Sequence, residues 1–102
     1  MDLHAANDEI MAAHGDYINN LVAKLTVEHN RKTALESAKN AASMGTTDSG
    51  KSLSEAACDR MAKQDPTYLQ LCTDEIAAAR AFETSKMQLE YHQRKLEILL
   101  KG

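Results

Sequence analysis

The chain is predicted to be all-α: a long helical hairpin with a short connecting helix, coiled-coil-like along its seam and oligomeric. Three observations carry this expectation. Good helix formers (Ala, Leu, Lys, Glu, Gln, Met) are abundant, whereas Gly 4 and Pro 1 are few for a chain of 102 residues. Apolar positions recur with a helical period on both sides of a single polar interruption, Gly45 to Ser52. The large apolar side chains are thinly spread, because much of the 43% hydrophobic content is Ala, aromatics are 4% and Trp is absent. A thick core is therefore not expected, and a two-helix hairpin shields one side of each stripe only. Association into a homo-oligomer is the natural remedy at this size.

The chain reads as a single helical domain over 1–102, with a long helix at about 3–44, a turn at 45–51, a short helix at about 53–63 and a second long helix at about 66–100. In the first helix the apolar positions are Leu3, Ile10, Tyr17, Ile18, Leu21, Val22, Leu25, Leu35, Ala38, Ala41 and Ala42. Asp2 and Asn7 are both candidates to cap its start. Gly15 lies inside the pattern and costs about 1 kcal/mol relative to Ala. A helix of this length measures on the order of 60 Å, so it must lie against another helix.

Gly45 is placed as a left-handed residue closing the first helix. Ser52-Leu53-Ser54-Glu55 reads as a capping box that opens the short helix, with the Ser52 hydroxyl and the Glu55 side chain exchanging bonds with each other's amides. Asp65-Pro66 is the next start signal, Asp as cap and Pro at the first helical position. The last helix carries Leu69, Cys72, Ile76 and Ala79, then Phe82, Leu89, Leu96 and Leu99 on a coiled-coil spacing, with Ser85 and His92 at the intervening positions. Ala34, Ala38, Ala41 and Ala42 are expected to face Ala77, Ala78, Ala79 and Ala81, small side chains permitting close approach.

Several chemistries can be weighed against this frame. Gly45 to Ser52, Gly-Thr-Thr-Asp-Ser-Gly-Lys-Ser, matches the phosphate-binding loop pattern letter for letter. A working loop of that kind joins a buried strand to a helix, and the residues before Gly45 are helical, so the stretch is read as a turn with Lys51 solvent-exposed and no nucleotide bound. His4, His14, His29 and His92 form no metal-binding motif, and Cys58 and Cys72 lack the close pairing of a zinc site. They are expected to be reduced cysteines in a cytoplasmic protein. No metal, cofactor or catalytic group is called for, and no run is long and apolar enough for a membrane span.

Net charge is −3 with pI near 5.7, which excludes a global attraction to nucleic acid. Lys24, Arg31, Lys32 and Lys39 nevertheless share one side of the first helix and are the candidate contacts to a nucleic-acid backbone. The alternative is an ordinary solvent face on which Glu28 and Glu36 interleave with them. Ile18, Leu21, Leu25, Phe82, Leu89, Leu96 and Leu99 are the candidate oligomer or partner interface.

The order of features, from Lys32-Thr33-Ala34 through Ala42, a Gly-Thr-Ser turn, Ser52 to Lys63, Asp65-Pro66-Thr67-Tyr68 and a final helix with Ala79, Phe82, Lys86 and Leu89, resembles the small helical accessory proteins of tailed-phage recombination modules, which are similar to recombination mediators. That resemblance implies a non-enzymatic accessory role in DNA recombination or replication, through contacts with single-stranded DNA or with a recombinase or annealing protein. The second expectation, from a different class, is a helical-hairpin adaptor or secretion-type chaperone whose apolar stripe receives a partner helix.

Overall fold

The computed structural model describes residues 3–45 and 53–101. They form three helices and no strand: α1 (Leu3–Ser43), α2 (Glu55–Ala62) and α3 (Pro66–Lys101). The chain divides into two compact units. The first holds residues up to Leu25 of α1 together with α3 from Ala77 onward, and the second holds the segment from Thr26 to Ile76.

In the first unit α1 and α3 run antiparallel along a seam that repeats every seven residues. On α1 the inward positions are Ala6, Ile10, Ala13, Tyr17 and Asn20, alternately four and three residues apart. On α3 they are Phe82, Ser85, Leu89, His92, Leu96 and Leu99 on the same alternation. Such spacing keeps one face of each helix toward its neighbour. Ala6, Ala13, Ser85 and Leu89 are buried, and the Tyr17 and Phe82 rings meet with centroids 5.2 Å apart. The Asn20 amide donates to the buried Ser85 hydroxyl, and that hydroxyl donates to the Ala81 carbonyl 3.0 Å away. A polar layer is thereby satisfied inside the seam.

In the second unit α2 packs beside the C-terminal half of α1. Ala62 is 1% exposed, and Ala42 and Cys58 are also buried. The Ala34–Ala42 face therefore lies in the unit that contains α2, where Ala38, Ala41 and Ala42 line a shallow groove with Met61, Gln64 and Asp65. The expected pairing of Ala34–Ala42 with Ala77–Ala81 is corrected: the latter belong to the first unit, at the level where Phe82 meets Tyr17. The alanine count concealed the register, which the larger side chains set.

Two boundary expectations are also corrected. The helix start falls at Glu55, and its cap is Ser54, whose hydroxyl accepts from the Ala57 amide at 3.2 Å. Glu55 is thus the first helical residue rather than the third, and Ser52 of the expected box lies outside the described residues. Gly45 ends α1 with its amide bonded to the Ala42 carbonyl at 3.0 Å, yet its φ lies outside the left-handed region. Glycine suits the position by close approach, since a Cβ would stand 3.2 Å from that carbonyl oxygen. Asp65 caps α3 by accepting from the Tyr68 amide at 3.1 Å, with Pro66 in the first turn where its missing N–H is not needed. Residues 46–52, including Lys51 and Ser52 of the phosphate-loop pattern, lie outside the described residues. What precedes Gly45 is helix to Ser43.

Candidate interaction surfaces

The four basic candidates are distributed by the seam rather than gathered on one open face. Lys24 falls at an inward position, half-buried, with its ammonium 5.0 Å from the Phe82 ring centroid. The electron-rich ring face holds the cation there. Arg31, a heptad further on, is also inward and forms a charge-assisted bond with Glu75 of α3. That bond, aided by the Tyr68 hydroxyl, raises the guanidinium above its ordinary value. Lys39 reaches Asp59 of α2 at 3.1 Å. Asp59 also receives Lys63 at 3.0 Å, and hydrogen bonds from Lys63 and then Lys39 hold its carboxyl below the usual 3.8. Lys63 is raised in turn by Asp59. Lys32 is exposed, beside His29 and Glu36 on α1.

Residues seven apart on a coiled-coil helix share a radial direction, so Lys24 and Arg31 turn together toward α3 while Lys32 and Lys39 lie about 100° further round. The acids Glu75 and Asp59, distant in sequence, are what the linear reading missed. A charged residue recurring at a seam position is the sequence signal that marks such a partner.

The apolar candidates divide in the same way. Phe82, Leu89, Leu96 and Leu99 face inward within the first unit, Leu89 at 9% exposure. Leu21 is half-buried, whereas Ile18 and Leu25 are 44% and 53% exposed. Met11 and Val22 extend this outer row. On α3 the exposed apolar side chains of the first unit are Met87, Tyr91, Ile98 and Leu100, and Leu69 and Ile76 are exposed in the second. Tyr91 and Ile98 line a groove of about 290 Å³ with Arg94, Lys95 and Leu99. None of these was separable from the seam by periodicity alone, because inner and outer rows repeat with the same spacing.

One polar cluster links the helix ends of the first unit. The Glu9 carboxylate lies 3.4 Å from the Lys95 ammonium and 3.5 Å from the His92 Nδ1, which is buried and outside hydrogen-bond geometry. Among the described residues no group of His, Cys, Asp and Glu is arranged to hold a metal ion, and no helix is long and apolar enough to cross a membrane. Cys58 and Cys72 are free thiols, the Cys58 Sγ directed at the Leu53 carbonyl 4.0 Å away. No protein-family model matches this chain, and neither a curated protein nor a solved structure is significantly similar to it.

Proposed function

We propose that this chain is a non-enzymatic helical adaptor that works through protein–protein contacts and associates with itself. The observation that carries the reading is a contrast between its side chains. Lys24, Arg31 and Lys39 are engaged with Phe82, Glu75 and Asp59. Large apolar residues stand outward in rows, Met11, Ile18 and Leu25 on α1 and Tyr91 and Ile98 on α3. Single exposed apolar residues are ordinary, but rows at seven-residue spacing beside a completed seam supply a face for another helix.

In the phage-recombination setting that the order of features implies, there are two modes of action, strand contact and recombinase contact. The engagement of the basic residues supports the second, in the host cytoplasm, with the recombinase or annealing protein as the partner. Strand binding needs cations free to displace counterions, and its affinity falls steeply with salt.

A fluorescently labelled single-stranded oligonucleotide titrated at low salt tests this. The expected result is no saturable rise in anisotropy, and no difference on Arg31→Glu with Lys32→Glu. Tight, salt-sensitive binding that this charge reversal abolishes would overturn the reading.

A further inference from the structure

We infer that a second copy of this chain is the occupant of the exposed apolar rows of the first unit, and that copies join head to tail, the α1 row of one seated on the α3 row of the next. The inference rests on the protein-contact reading above and adds both the partner and the geometry.

The contact between Glu9 and Lys95, 3.4 Å apart, marks one flank of the α1–α3 pair. Tyr91 and Ile98 lie four residues before and three after Lys95, hence beside it on that same flank. They line its groove with Arg94 and Lys95. Met11, Ile18 and Leu25 each follow a residue of the Glu9, Asp16, Ala23 row by two positions, about 200° around α1. They therefore occupy the opposite flank. At the helical rise the α1 row spans about 21 Å from Met11 to Leu25, and the α3 row about 16 Å from Met87, one turn before Tyr91, to Ile98.

Charge distinguishes the flanks. Glu90 and Glu97, with Glu83 before them, are exposed, and Glu97 follows Lys95 by two positions, which turns this acidic row toward the flank of Met11, Ile18 and Leu25. Lys86 lies among them. Arg94 and Lys95 line the groove of Tyr91 and Ile98, Lys95 against Glu9, while Arg80, Arg94 and Lys101 form the exposed crest of α3 between that groove and the row of Glu83, Glu90 and Glu97. One flank thus carries an apolar row with a net acidic border, and the apolar groove on the other has a basic rim. Two copies meeting through the same flank would oppose like charges, whereas unlike flanks bring opposite charges and apolar rows together. A contact between two different surfaces of one chain leaves a free surface at each end, so assembly continues unless it closes as a ring.

Sedimentation velocity on the full chain with two blocked variants tests this. Ile18→Glu with Leu25→Glu buries carboxylates in the α1 row, and Tyr91→Glu with Ile98→Glu does so in the α3 row; far-UV ellipticity verifies that both stay helical. Wild type is expected to grow beyond a dimer with concentration, and each variant alone to remain at the monomer mass of 11.2 kDa. Their equimolar mixture is expected to give a dimer and nothing larger, because each supplies the surface that the other lacks. A monomeric wild type, a variant that still assembles alone, or a mixture that stays monomeric would overturn the inference. Because this experiment contains no nucleic acid, its failure is distinct from a positive strand-binding titration, which would overturn the underlying reading instead.

Discussion

At the scale of single residues, ion pairs between helices account for where the charged side chains of the second unit turn. Arg31 and Glu75 neutralise each other at inward positions, and Asp59 gathers Lys63 and Lys39 between α2 and α1. Asp59 has a folded-state pKa below its ordinary 3.8, so its contribution is present above that value and is lost as pH falls through the folded one. Lys63 works in the opposite sense, contributing below 10.5 and ceasing to do so as pH rises through its raised value. Amide exchange over Glu55–Ala62 is expected to lose protection below about pH 4, close to the free carboxylate range. Asp59→Asn should show weaker protection already at neutral pH and a shallower acid step; an unchanged profile would mean that Asp59 does not hold α2.

At the scale of elements, helix content and order were legible because composition, the polar interruption and the Asp65-Pro66 start all act locally. What was not legible depends on partners distant in sequence. Ala6 and Ala13 are seam residues as much as Ile10 and Tyr17, and only α3 opposite them reveals it. Lys24 and Arg31 read as a solvent face until Phe82 and Glu75 are placed against them. Ser54 caps α2 by accepting from the Ala57 amide, and a run of cap-forming residues before Glu55 did not by itself single it out. Truncation gives the energetic measure of the seam. Leu89→Ala removes its most buried leucine and should cost about 2–3 kcal/mol in chemical denaturation. Gly15→Ala should do the reverse, adding about 0.5–1 kcal/mol, because a Cβ there meets nothing within 4 Å and the helix loses a flexible residue. A neutral Leu89→Ala would show that the seam is not the stabilising contact.

At the scale of the whole molecule, the outer rows follow from the composition. Few large apolar residues are available, and in α1 and α3 they are divided between the seam and an outward row, so one chain leaves Ile18, Leu25, Tyr91 and Ile98 uncovered. The proposed self-association would cover them, and the engagement of Lys24, Arg31 and Lys39 supports an assembly that does not depend on nucleic acid. Light scattering of the purified chain across a concentration series, with and without a single-stranded oligonucleotide, measures both properties together. The account predicts a mass that rises with protein concentration and is the same in the presence of the oligonucleotide. A chain that stays monomeric by itself and gains mass only when the oligonucleotide is added would contradict it.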